Sequence, residues 1–281
     1  MKKLVLSGLL FGSFAMALTT YNFMPYAGHL NYSGNTNKDN GYVGGIYISA
    51  FESPWKTEID LEHTEIKYKD SSPRLKQSDA TLLIHYYEGY DLAYKMGVHY
   101  IDSRDTLTDN SKIYMAGILY YKTLRYNLGV DFYYSDYSNQ DDSPKIYQAS
   151  PKLGFNFGNY YSMLGSFYFE TKFDYIKPGH NQAKNNLEDS YKSYEFTLNN
   201  YNGAFTTSLN VWNGHRIFAV ENDGFIVNNI SDEQTGGFKV SENYNIDKMN
   251  SLKLEYSYTE FLENNLDADV RNVLVSYNHS F

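Results

Sequence analysis

The chain of 281 residues contains no cysteine, so it has neither a disulfide framework nor a thiolate metal site. Tryptophan occurs twice and proline six times, and no apolar run approaches the roughly twenty residues of a membrane-crossing helix. Basic residues are in deficit: 24 Lys and Arg face 33 Asp and Glu, a formal charge of -9. That balance excludes nucleic acid as a partner, which would demand clustered Lys and Arg. What the chain does have is 30 tyrosines and 17 phenylalanines in a sequence of mean hydropathy -0.54. Such a chain is polar on average yet heavily aromatic.

The N-terminus has the three parts of a secretory signal peptide. Lys2 and Lys3 make the basic region, Leu4 to Phe14 the apolar run, and Ala15-Met16-Ala17 the small-residue cleavage site. The expectation is a signal peptide over residues 1–17 and one domain over 18–281, of about 264 residues and charge -11 once Lys2 and Lys3 are gone. No Gly-rich, Pro-rich or charged linker divides the remainder.

Alternation dominates that remainder. Leu92, Tyr94, Met96, Val98 and Tyr100 are interleaved with Ala93, Lys95, Gly97 and His99. Leu252, Leu254, Tyr256 and Tyr258 are interleaved with Lys253, Glu255, Ser257 and Thr259. Successive side chains of a strand point to opposite faces, so each stretch has one greasy and one polar face. About fourteen strands can be placed, with twelve and sixteen as the neighbouring even counts. The first two are expected at His29–Gly34 and Gly41–Phe51, the ninth at Tyr161–Ile176 and the last at Asp269–Phe281. In Lys112 to Tyr121 either face can be the apolar one. Connections alternate short and long, the first (Asn35–Asn40) and last (Leu262–Ala268) both belonging to the long set.

A sheet that is apolar on one face and polar on the other, with no linker and an even strand count, reads as an all-β, transmembrane, antiparallel up-and-down β-barrel. The final strand carries Val273, Val275, Tyr277, His279 and Phe281 on one face. It resembles the closing strand of Gram-negative outer-membrane proteins, which commonly ends in an aromatic residue preceded by alternating apolar ones; His279 departs from that pattern. The resemblance implies that Tyr277 and Phe281 form the signal read by the barrel-assembly machinery during insertion. By size and strand number the whole mature chain resembles the monomeric fourteen-stranded porins. This implies a monomer in outer-membrane lipid.

Function then belongs to the inward face. Alternation assigns to it Lys56, Glu58, Asp60, Glu62, His85, Lys95, His99, Asp131, Gln148, Lys152, Glu170, Lys172, Asp174, Glu195, Lys239, Lys253 and Glu255. Charges in a dry core would each cost several kcal/mol unless paired, so both signs spread over most strands favour a water-filled interior. The alternative is that they face bulk water outside a soluble sandwich. The densest line, Lys56, Glu58, Asp60 and Glu62, forms part of a constriction or, as the commoner outcome, structural ion pairs with Lys152 or Lys172 across the barrel. The longest connection, Gly214–Gly236, contains Ile217-Phe218-Ala219-Val220 and Phe225-Ile226-Val227. These pieces either extend the flanking strands above the membrane, the simpler reading, or fold into the barrel mouth.

Catalysis finds no support. Outer-membrane phospholipases and deacylases resemble one another in placing Ser two residues from His on one strand, and none of the seven histidines has Ser at that offset. Neither an Asp-x-His pair nor a metal-ligand spacing occurs. The expected function is passive diffusion of ions and small hydrophilic solutes, without cofactor or metal. An adhesin-like binding or structural barrel is the second reading. A transporter of hydrophobic compounds ranks third, because the fatty-acid transport barrels it would resemble need an N-terminal plug and Leu18 to Gly28 is short for one, although Phe23, Met24 and Pro25 can still tuck into the mouth.

Overall fold

A computed structural model describes residues 19–70, 72–123, 125–137, 143–179, 187–228 and 232–281. The signal-peptide segment lies outside the described residues. Fourteen strands close into one antiparallel barrel. They are β1 (Thr20–Gly34), β2 (Lys38–Glu52), β3 (Trp55–Tyr68), β4 (Leu75–Glu88), β5 (Leu92–Ser103), β6 (Ser111–Lys122), β7 (Tyr126–Asp136), β8 (Lys145–Gly158), β9 (Ser166–Pro178), β10 (Tyr191–Asn202), β11 (Phe205–Arg216), β14 (Glu233–Asn245), β15 (Asn250–Glu263) and β16 (Leu266–Ser280). Between β11 and β14 lies a small hairpin, β12 (Val220–Glu221) and β13 (Ile226–Val227). Each barrel strand pairs with its neighbours in the barrel's chain order, and β1 closes on β16 from Asn22↔Ser280 to Gly34↔Ala268. Closure leaves no strand edge unpaired, which is what a sheet in hydrocarbon requires.

The period of two survives along every wall. On β15, Leu252, Leu254 and Tyr256 point outward and are exposed, while Lys253, Glu255 and Ser257 point inward. Aromatic rings gather toward the two ends of the outer face. Near the short turns, Trp55, Tyr86 and Tyr94 form one contact chain (4.7 and 6.5 Å between centroids), and Phe155 and Phe169 another contact at 5.3 Å. Toward the opposite end, Tyr134 stacks on Tyr114 at 6.2 Å and meets Tyr147 tilted at 5.2 Å. Two aromatic girdles flanking an aliphatic band are the surface of a barrel that meets lipid.

The strand count agrees with the sequence reading; several boundaries do not. β1 begins at Thr20, not His29, so Phe23, Met24 and Pro25 belong to the wall and are not tucked into the mouth. Its ladder to β16 lacks partners at Met24 and Pro25, where proline offers no N–H. The first and last connections, expected to be long, are tight, because the flanking ladders run further. Residues 35–37 join β1 to β2, and Asn264 and Asn265, both at positive φ (54° and 62°), turn β15 into β16. Tyr161 and Met163, read as strand, stand 93 % exposed in a turn. Gly158 and Gly165 end the strands on either side of it at φ of 84° and 74°. In the turn after β14, the Asn250 side chain and the Met249 backbone N–H both donate to Asp247. Those bonds hold its carboxyl below the ordinary carboxylate value.

Candidate functional site

The lumen is divided by the connection between β11 and β14, which folds inward instead of extending the strands above the membrane. Directly after β11, Ile217, Phe218, Ala219 and Val220 are buried. They pack in one cluster with inward residues of β4–β9, among them Leu83, Ile101, Ile113, Met115, Ile146 and Ile176. Each large apolar side chain so buried contributes about 1.5–3 kcal/mol. The Gln148 amide clamps Val220, its Nε2 donating to the Val220 carbonyl and its Oε1 accepting from the Val220 N–H, both at 2.8 Å.

At the tip a 3-10 turn, Asn222–Gly224, reverses the chain, with Asn222 and Asp223 in the left-handed region (φ 48° and 58°). Gly224 sits at φ 104°, a conformation that favours glycine, and packs against the Met115 side chain. Asp223 accepts from Lys95 at 2.5 Å and Lys152 at 3.2 Å, and both lysines also pair with Asp131 at 2.9 Å. Phe225 then meets Tyr47 of β2 edge-on at 5.6 Å. The tip therefore bridges the β5–β8 wall and β2.

Both roots of the insert are pinned by charge. Arg216 is 0 % exposed; it pairs with Asp174 (3.2 Å), Glu195 (2.9 Å) and Glu221 (3.2 Å), donates to Ser193 (2.7 Å) and lies 4.2 Å over the Trp212 ring. On the return arm, Asp232 pairs with Lys38, which also faces Glu263 at 3.6 Å.

The structure places the sequence-predicted lumen residues on the inner face but distributes them among separate clusters. Lys172 joins Glu195 at 3.0 Å and Asp174 at 4.0 Å beside Arg216. Lys253 and Lys239 share Glu255 at 2.7 and 3.6 Å. Tyr168 donates to Glu170. The expected pairing of the β3 line with Lys152 or Lys172 does not form, since Lys152 is taken up by Asp131 and the insert's Asp223, and Lys172 by Glu195 and Asp174. Instead Glu58 is held by Lys56 at 2.8 Å, by His85 at 2.5 Å and by the Tyr47 hydroxyl.

Asp60 and Glu62 share the Tyr26 hydroxyl, at 3.0 and 2.9 Å. Glu62 stands directly across from Asp79 of β4 in the β3–β4 ladder. His99 is bonded through Nδ1 to Thr81 at 2.8 Å, with Asp79 Oδ1 at 3.5 Å from its Nε2. Sequence reasoning missed Arg216, Asp223, Asp79 and Lys38. Asp79 was readable, because it alternates with Gln77 and Thr81; the other three lie at or beyond strand ends, where period two carries no information.

A His–Ser hydrogen bond also exists that a search along single strands cannot find. His63 Nδ1 and Ser78 Oγ meet at 2.9 Å across two strands on the outer face, with no carboxylate bonded to His63 among the described residues.

On the side opposite the packed insert a cavity of about 310 Å³ remains. Its walls are the inner faces of β1–β5, β11 and β14–β16 and the insert's own Phe225, Ile226 and Val227.

Against solved structures the chain matches the toluene transporter TbuX of Ralstonia pickettii at a TM-score of 0.57 and 9 % identity, over 93 % of this chain and 89 % of that one. The CymD monoaromatic hydrocarbon channel gives 0.56 and 7 % over 93 % and 88 %, and a bacterial polysaccharide outer membrane secretin 0.58 and 9 % over 92 % and 97 %. The chain is a closed fourteen-stranded antiparallel barrel, a fold it shares with these outer-membrane proteins. At these identities the likeness is one of fold. No protein-family model matches this barrel, and no curated sequence does. Its lumen, described above, is therefore the ground for a functional reading.

Proposed function

We propose that the protein is a passive channel in the outer membrane, reached by signal-peptide-directed export, through which ions and small hydrophilic solutes diffuse as far as the insert allows. The observation that supports this reading is the inner face itself. Charged side chains of both signs line the lumen around its circumference, and the insert fills one side of it while leaving a cavity on the other. Fourteen strands enclose a lumen too wide for wall side chains alone to fill. The segment between β11 and β14 does the narrowing, and lumen charge sets which solutes pass. The reading needs no cofactor, energy source or catalytic step, and a single barrel suffices.

A second reading, passage of hydrophobic compounds, has one specific observation in its favour: Leu30, Ile66, Trp212, Phe225, Phe261 and Val270 give the cavity a largely apolar wall. TbuX is a toluene transporter and CymD a monoaromatic hydrocarbon channel.

Purified protein in a planar bilayer separates these readings from an adhesin-like barrel. Stepwise KCl conductance is expected. A silent bilayer, with the barrel shown intact by circular dichroism and heat-modifiable migration, would leave the binding reading.

A further inference from the structure

The cavity wall is unevenly charged. Five carboxylates face it (Glu62, Asp79, Glu221, Asp232 and Glu255) against one lysine, Lys239. Three of the five are neutralised: Glu221 by Arg216, Asp232 by Lys38, Glu255 by Lys239 and Lys253. Among the described residues, neither Glu62 nor Asp79 has a Lys or Arg within ion-pair distance, and neither does Asp60 beside them. Like charges directly opposite one another on neighbouring strands destabilise a sheet, and Glu62 and Asp79 are such a pair.

The donors around them are few. The Tyr26 hydroxyl has one proton for both Asp60 and Glu62, Thr64 adds a hydroxyl at 3.3 Å from Glu62, and the Gln77 amide serves Asp79 at 2.8 Å. A second, independent feature points into the same space. His99 is only 2 % exposed and borders the cavity, and its Nε2, 3.5 Å from Asp79 Oδ1, makes no closer contact with a hydrogen-bonding group. Buried polar atoms are normally partnered, so an orphan facing a cavity marks where a partner is accommodated.

The arrangement does not suit a metal ion, since among the described residues no three Asp, Glu or His side chains are grouped to hold one. Leu30, Ile66, Phe225 and Val270 supply apolar surface to the same space. A volume of about 310 Å³ is at the lower end for small-molecule pockets. We propose that the cavity is a binding site for small organic cations, with an apolar body of about one ring against Leu30, Ile66, Phe225 and Val270 and a protonated amine between Glu62 and Asp79. This rests on the channel reading only for its role in transport: the site would select which solutes dwell in the pore.

The test uses three ring compounds of one shape and three charges: benzylammonium, benzyl alcohol and benzoate. Calorimetric titration of the detergent-purified barrel is expected to give benzylammonium a Kd at least tenfold below that of benzyl alcohol, with benzoate weakest. In planar bilayers benzylammonium is expected to block KCl current with the same ranking. The double variant Glu62→Gln, Asp79→Asn removes the preference while its unfolding midpoint stays level or rises, because the like-charge pair is gone. Equal affinity for all three compounds, a preference for benzoate or benzyl alcohol, or an unchanged preference in the double variant overturns the proposal. The two readings fail separately. Conductance without selective binding leaves the channel and removes the site, whereas selective titration of a barrel that carries no current keeps the site and removes the channel.

Discussion

The two sides of the lumen are made of the same alternating strands and have become different materials. Along β5–β9, inward residues such as Ile101, Ile113, Met115, Ile146 and Ile176 are almost wholly buried under the insert. Along β1, β2 and β16, Leu30, Val43, Val270 and Leu274 occupy equivalent positions but are half-buried and border the cavity. One side is a protein core turned inside out, with its hydrophobic cover supplied by a loop; the other is an uncovered wall bordering a cavity. The difference shows that inward apolar residues in a polar-lined barrel carry information: they mark where something folds in to cover them. It also accounts for the 112–121 stretch. Both faces of β6 are apolar because one meets lipid and the other meets Ile217–Val220.

The largest expected effect comes from abolishing the difference. Replacing Ile217–Asn228 by a short glycine-containing turn makes both sides channel wall, and single-channel conductance in KCl is expected to rise several-fold. Conductance equal to that of the wild type would show that the insert does not narrow the path. Next is Arg216→Gln, which leaves Asp174, Glu195 and Glu221 with Lys172 as the remaining cation among the described residues. Removing one partner from a buried ionic cluster costs about 3–5 kcal/mol. The unfolding midpoint is expected to fall accordingly, and an unchanged midpoint would mean that the cluster is hydrated and holds nothing.

A matched pair of truncations then probes the two materials directly. Met115 packs against the insert in the buried cluster, and Leu274 borders the cavity. Met115→Ala is expected to cost about 2–3 kcal/mol, as for a core methionine. Leu274→Ala is expected to stay within about 0.5 kcal/mol, as for a position away from tight packing. Equal costs, measured by urea unfolding in the same detergent, would erase the distinction between core and wall.

Fold and site were unequally legible in the residues. Strand number and orientation follow from period two, which lipid outside and a polar lumen inside enforce along strands such as β3 and β15. Boundaries were missed where the ladder outlasts the hydrophobic pattern, as at Thr20–Gly28, or where tyrosines continue the pattern into a turn, as at Tyr161. The inward set could be named as a face, because facing needs only local geometry. Its partnerships were not, because which lysine meets which carboxylate depends on barrel circumference and on the path of Gly214–Gly236, both long-range. The insert left a trace all the same: apolar Ile113 and Met115 alternate on the face that elsewhere carries Lys95, His99 and Asp131.

The subtlest test of the comparison is the tether between the two sides, Asp223. It accepts from Lys95 and Lys152 on one wall, and two residues later Phe225 touches Tyr47 on the other. Asp223→Asn keeps the shape of the tip and deletes one of the two carboxylates serving that lysine pair, Asp131 remaining. The Asp223 side chain is 47 % exposed to the lumen, so solvent screening reduces the loss to about 1–2 kcal/mol, well below that for a fully buried pair. That corresponds to a shift of about five- to thirtyfold in the balance between docked and undocked tip. In single-channel records it is expected as longer dwell at a higher conductance level, with the barrel's unfolding midpoint almost unmoved. Salt supplies the internal control. Raising KCl toward 1 M shortens the Debye length to about 3 Å and weakens the wild-type tether, but has less left to weaken in Asp223→Asn. Identical dwell times in the two proteins at low and high salt would show that apolar packing of Ile217–Val220 alone holds the insert, and that the ion pairs at its tip contribute nothing to separating core from channel.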